Sequence, residues 1–214
     1  MKYSELRTAL TVTAIELNAS GINQGTSGNL SVRADDGFLI TPSGMQYSAL
    51  KPEDVVLMNL SGEHNASRNP SSEWRFHRDI YAARNDAGAI VHTHSVHATA
   101  LACLNRGIPA FHYMVAAAGG HDIRCAPYAT YGTQALSDFA VAALAERKAC
   151  LLSHHGVIAL GNGLSGALAL AGEVETLAHQ YLAALTVAEP ELLSDAEMDL
   201  VIEKFKTYGA NAQQ

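Results

Sequence analysis

The chain has 214 residues, 48% of them hydrophobic and only 16% charged, with a formal net charge of −7. That balance suits one compact α/β domain over residues 1–214 and offers nucleic acid no basic block. No stretch nears the ~20 apolar residues that cross a bilayer. Met1–Arg7 is charged too early for a secretion signal, and Cys103, Cys125 and Cys150 lack C-x-x-C spacing, which together suit a reducing cytoplasm.

Leu6, Leu10, Ala14 and Leu17 recur at helical spacing and predict an amphipathic helix over 4–19, closed by Ser20-Gly21. The following Gly25-Thr26-Ser27-Gly28-Asn29 leads into a strand. Such a loop presents N–H groups and hydroxyls to an anion, or is a plain tight turn; no Gly-Lys-Ser/Thr follows, so it is not a Walker A loop. A hairpin turning at Asp36-Gly37 is expected next, its second strand Phe38-Leu39-Ile40 running into another small-residue loop, Thr41-Pro42-Ser43-Gly44. Pro70–His77 opens a helix with Ser71 or Ser72 as N-cap and Phe76, Ile80 and Ala83 inward. Its N-terminus is an anion site in waiting. Taken alone, Glu73 there complements the helix dipole.

Ala89-Ile90-Val91 reads as a buried strand ending in His92-Thr93-His94. Residues two apart on a strand share a face, so these imidazoles can converge on one cation. Leu151–Ile158 repeats the form with His154 and His155, which face opposite ways if extended, so one of the two can complete a three-histidine set with a coordination position left open. Ser95 is expected to cap a short helix ending near Gly107, with His97 packed or solvated inside it. Tyr113 is either an acid/base group or an amphipathic core residue. Further helices are expected over about 134–148 and 165–187, the latter carrying a core stripe of Leu170, Val174, Leu177, Tyr181 and Leu185. Ser194-Asp195-Ala196-Glu197 is a capping box for a last helix ending at Tyr208-Gly209.

Asn23–Asn29, Thr41–Gly44, Pro70–His77, Val91–His94, Pro109–Tyr113, His154-His155-Gly156 and Phe205–Gly209 occur together in this order. With them the chain resembles, nearly end to end, the class II aldolase/adducin family. The resemblance implies a three-layer α/β/α sandwich on a mostly antiparallel sheet, a C4 homotetramer with sites between subunits, and one zinc per subunit. His92, His94 and His155 match the zinc ligands; Glu73 matches a fourth ligand that swings off to act as base. Thr26, Gly28, Asn29, Ser43, Gly44, Ser71 and Ser72 match contacts to phosphate and dihydroxyacetone. Tyr113, from a neighbouring subunit, matches a proton donor, and Tyr131 and Tyr208 match positions around the aldehyde. The implied activity is reversible cleavage of a ketose 1-phosphate to dihydroxyacetone phosphate and an aldehyde. L-fuculose 1-phosphate, giving L-lactaldehyde, stands first. 5-Deoxy- or 5-methylthio-ribulose 1-phosphate is the rival, and epimerases, decarboxylases and a non-catalytic adducin-type module share the fold. A Schiff-base route needs a desolvated lysine, whereas Lys2, Lys51, Lys148, Lys204 and Lys206 sit in polar, helix-flanking or tail contexts.

Overall fold

The structure, a computed structural model, describes residues 1–64 and 66–207. Along them run α1 (Ser4–Ala19), β1 (Asn29–Ala34), β2 (Gly37–Ile40), β3 (Val56–Met58), α2 (Trp74–Ala83), β4 (Ala89–Thr93), α3 (Val96–Cys103), β5 (Arg124–Ala126), α4 (Gln134–Ala143), β6 (Ala149–Leu152), β7 (Gly156–Gly161), α5 (Leu164–Leu185) and α6 (Asp195–Thr207). The strands form one sheet in the order β3-β2-β1-β4-β7-β6-β5. Its described pairs are antiparallel except β5 with β6.

Strand alternation sorts side chains between two cores. Leu30, Val32, Ala89, Val91, Val157 and Ala159 pack with α1, α3 and α5 on one face. Ile90, Ile158 and Leu160 pack with Phe76, Ile80, Leu136 and Ala140 of α2 and α4 on the other. The expected mostly antiparallel sandwich is thus the observed one. Asn29 pairs with His92 and Ser31 with Ile90 across β1 and β4. Alternation sends the polar partners to the α2 face, where Ser31 meets His77 and Tyr81, and Asn29 meets Glu73.

Several expected boundaries move, each for a local reason. The hairpin pairs Ala34 with Gly37, so the turn lies one residue earlier than Asp36-Gly37. A Cβ on Gly37 would lie 2.1 Å from the Met58 carbonyl oxygen, which is why glycine serves there. Helix α2 begins at Trp74, not after Ser71 or Ser72: Glu73 holds the N-cap position and Trp74 N–H donates to the Ser71 carbonyl at 3.1 Å. Helix α4 stops at Ala143 rather than near Lys148. Arg84 captures the carbonyls of Leu144 and Arg147 at 2.6 and 2.7 Å, and Glu146 turns to φ 58° to enter β6. Ser95 sits at the N-cap of α3 without making a cap bond. Glu175 of α5 instead accepts the N–H groups of His97 and Ala98, each at 2.9 Å. At α6 the Ser194 hydroxyl does accept from Glu197 N–H, at 3.2 Å. Tyr208 lies outside the described residues. No described helix is long and apolar enough to cross a membrane.

Candidate active site

His92 leaves β4 on the α2 face, edge-on to Phe76 with ring centroids 5.4 Å apart. Its Nδ1 is 2.9 Å from the Val157 carbonyl. A carbonyl only accepts, so Nδ1 carries the proton and Nε2 keeps its lone pair for the cleft. His94 lies one residue beyond β4, and its Nε2 comes within 3.1 Å of His92 Nε2. His154 and His155 sit in a turn between β6 and β7 rather than on an extended strand, and they part company because His154 takes φ 53°. His155 turns inward, placing Nε2 3.1 Å from Glu73 Oε1. Gly156 permits this approach, since a Cβ there would lie 2.3 Å from the Thr93 carbonyl and 3.0 Å from His94.

Glu73 turns away from the N–H groups of its own helix. Oε2 accepts from Asn29 Nδ2 at 3.0 Å and lies 3.2 Å from His92 Nε2, while Oε1 is buried with no hydrogen-bond partner. Burial alone would raise this carboxyl; with no metal bound, a proton on Nε2 of His92 or His155 supplies charge and hydrogen bonds that outweigh it and hold the group well below the usual carboxylate range. Burial, then the charges of His92 and His155, lowers His94 to about 4. One ligand atom each from Glu73, His92, His94 and His155 falls within 4.8 Å of all the others. Imidazole lone pairs facing a buried, orphaned carboxylate oxygen are unfavourable by themselves and fit a divalent cation of the zinc type, for which three histidines and a carboxylate are an ordinary donor set.

The set opens on a cleft of about 320 Å³. Thr26, Gly28, Asn29, Ser43, Gly44, Ser71 and Ser72 line it, with Tyr128, Tyr131 and His154, and among the described residues no lysine or arginine does. Gly28 and Gly44 hold φ of 75° and 68°, and a Cβ on Gly28 would lie 2.6 Å from the His92 carbonyl. The buried Tyr47 hydroxyl donates to the Gly28 carbonyl at 3.0 Å and braces that loop. The loop bearing Tyr128 and Tyr131 is held by Arg75, which donates to the Gly132 carbonyl at 2.8 Å. All five lysines are exposed, so none meets the desolvation a Schiff base requires.

Tyr113 sits on the turn Tyr113–Ala118, 50% exposed, and does not line this cleft. Tyr131 lines it and is 67% exposed. The sequence offered no role for Tyr128, and His154, the alternative third ligand, instead forms an edge-on pair with it, 6.0 Å apart in the wall. The sequence reading also passed over His77 and Glu175, for which no spacing signal exists, because their partners lie on other elements.

Residues 8–182 match the family model described as the class II aldolase and adducin N-terminal domain. The chain is 59% identical to the 5-methylthioribulose-1-phosphate/5-deoxyribulose-1-phosphate aldolase of Rhodospirillum rubrum, over 97% of this chain and 94% of that one. It is 51% identical to the L-fuculose phosphate aldolase of Escherichia coli K12 over the full length of both. A solved structure titled L-fuculose 1-phosphate aldolase superposes with a TM-score of 0.93 at 42% identity, covering 96% of this chain and 98% of the other.

Proposed function

The chain belongs to the class II aldolase and adducin family, and on that premise we propose that it is a zinc-dependent lyase cleaving a ketose 1-phosphate between C3 and C4. The products are dihydroxyacetone phosphate and an aldehyde; L-fuculose 1-phosphate, giving L-lactaldehyde, is the first substrate. One observation carries the reading: four ligand atoms from Glu73, His92, His94 and His155 converge beside a cleft lined by small hydroxyl residues and glycines. A cation held there supplies Lewis acidity to the substrate's ketone oxygen.

The chain's own residues do the rest. Thr26, Gly28, Ser43, Gly44, Ser71 and Ser72 bind the phosphate through N–H and hydroxyl groups, the means available in a cleft that no lysine or arginine among the described residues lines. Asn29 directs its amide at Glu73 and at the bound ketose. Glu73 returns the proton to C3 on cleavage and removes it in the reverse direction, as a buried carboxylate within reach of the ligand set can. Tyr113 gives its proton to the aldehyde oxygen in condensation, and in cleavage the C4 hydroxyl returns that proton to the tyrosinate. Being half exposed and outside its own chain's cleft, Tyr113 serves a neighbouring subunit in a C4 tetramer. Tyr131 stands beside the aldehyde, and the family resemblance gives Tyr208 the same role.

The 59% identical relative favours a second substrate reading, 5-methylthio- or 5-deoxy-ribulose 1-phosphate. Tyr128 and Tyr131 offer the aromatic surface that a thioether contacts well. Incubating the zinc-loaded protein with each of the three ketose phosphates and comparing kcat/KM decides between them. Absence of aldehyde from all three overturns the aldolase reading.

A further inference from the structure

One buried titratable group has no part in the chemistry above. His77 of α2 is fully buried, stacked on Phe76 with centroids 4.6 Å apart. Its Nε2 is 2.5 Å from Asn29 Oδ1 and its Nδ1 is 2.7 Å from Ser31 Oγ, which in turn lies 2.8 Å from the Tyr81 hydroxyl. With the 3.0 Å bond from Asn29 to Glu73, an unbroken buried chain runs from Tyr81 to the candidate base.

The direction of this chain follows from its end. The Glu73 carboxylate only accepts, so Asn29 must offer it Nδ2. Oδ1 then faces His77 and also only accepts, so Nε2 carries the imidazole proton. Nδ1 of the neutral ring is left as an acceptor, Ser31 donates to it, and Tyr81 donates to Ser31. Burial keeps the ring neutral by lowering it to about 3. With the Asn29 amide rotated by half a turn, Oδ1 would oppose the carboxylate, acceptor against acceptor.

We propose that His77 is a positioning residue: its Nε2–H locks the Asn29 amide in the one orientation that presents N–H to Glu73 and to a substrate oxygen in the cleft. The proposal rests on the aldolase reading for its kinetic consequence, but the placement of the proton does not. Selective ¹⁵N labelling of histidine in metal-free protein should show one imidazole, missing from His77→Gln, protonated on Nε2 and bare on Nδ1. A proton on Nδ1 overturns the proposal.

In zinc-loaded protein the readout is exchange of the dihydroxyacetone phosphate proton with solvent at saturating substrate. His77→Asn can still face Ser31 but is too short for Asn29, and it should lose roughly 10–100-fold at unchanged zinc content. His77→Gln sets an amide N–H where Nε2 stood and should restore the rate to within about fivefold. In an Asn29→Ala background, His77→Asn should cost nothing further, because its effect passes through Asn29. Normal exchange in His77→Asn, an equal loss with and without Asn29, or a folded His77→Gln as slow as His77→Asn each overturns the proposal. Should His77→Asn fail to fold, His77→Gln and the imidazole spectrum decide. A wild-type protein that exchanges nothing overturns the aldolase reading instead.

Discussion

Replacing Glu73 by glutamine separates chemistry from architecture at one side chain. The substitution keeps length and an acceptor oxygen, so the 3.0 Å bond from Asn29 can persist, and no cap bond is lost because Glu73 makes none. Besides the carboxylate ligand, with His92, His94 and His155 left to hold the metal, the cost is one charge-assisted hydrogen bond reduced to a neutral one, about 1–2 kcal/mol. For a chain of this size that lowers Tm by roughly 2–8 °C. Loss of a general base costs far more in rate, roughly 10²–10⁴-fold, or about 3–5 kcal/mol of barrier. The assay is solvent exchange of the dihydroxyacetone phosphate proton, which needs no aldehyde and therefore bypasses Tyr113. Folded, zinc-loaded Glu73→Gln should barely exchange. Exchange at the wild-type rate refutes the base assignment.

Dialysis against a chelator should abolish cleavage while leaving the far-ultraviolet dichroism intact, and one zinc per chain should restore it; full activity at less than a tenth of an equivalent of metal would contradict the site. Ser72→Ala should raise KM for dihydroxyacetone phosphate well above any change for the aldehyde, and equal changes would move the phosphate elsewhere. His77 is lowered to about 3 from 6.5, so between these pH values the unfolded chain binds a proton that the native one does not. Stability should therefore fall as pH drops through that window, by up to about 4–5 kcal/mol at roughly 1.36 kcal/mol per pKa unit. Urea midpoints of wild type and His77→Gln should converge toward pH 3; parallel curves would remove His77 as the cause. Glu175→Ala strips the cap from α3 and should cost about 1–3 kcal/mol in urea unfolding, with no change pointing to water as the real partner.

Much of this arrangement is readable in one dimension because period and punctuation are local properties. The stripe of Leu170, Val174, Leu177, Tyr181 and Leu185 announced α5, and all but the half-buried Leu185 are buried. The apolar run before His92 announced β4. His92 and His94 project together as expected, although β4 stops at Thr93 and His94 lies one residue beyond it. His154 and His155 diverge as expected, through a left-handed residue that no alternation rule foresees. Glu73 looked like a helix-dipole residue because its partners, Asn29 and His155, are 44 and 82 positions away. The Ser95 cap failed for the same reason, since the competing acceptor Glu175 arrives from a distant helix. Tertiary partners are what a window of a dozen residues omits.

The ligand set draws on the start of α2, the end of β4 and the turn before β7, spanning residues 73 to 155. The whole set cannot be preformed by a local hairpin, because β4 and β7 meet only after the chain between them has folded back. Metal capture is therefore a late event, and contacts made after the folding barrier act on the reverse reaction alone. The ion should leave the folding rate untouched and slow unfolding, adding about 4 kcal/mol when free metal exceeds Kd a thousandfold. In a cell, the loaded protein would owe its lifetime to the metal, while its birth would proceed equally well without it.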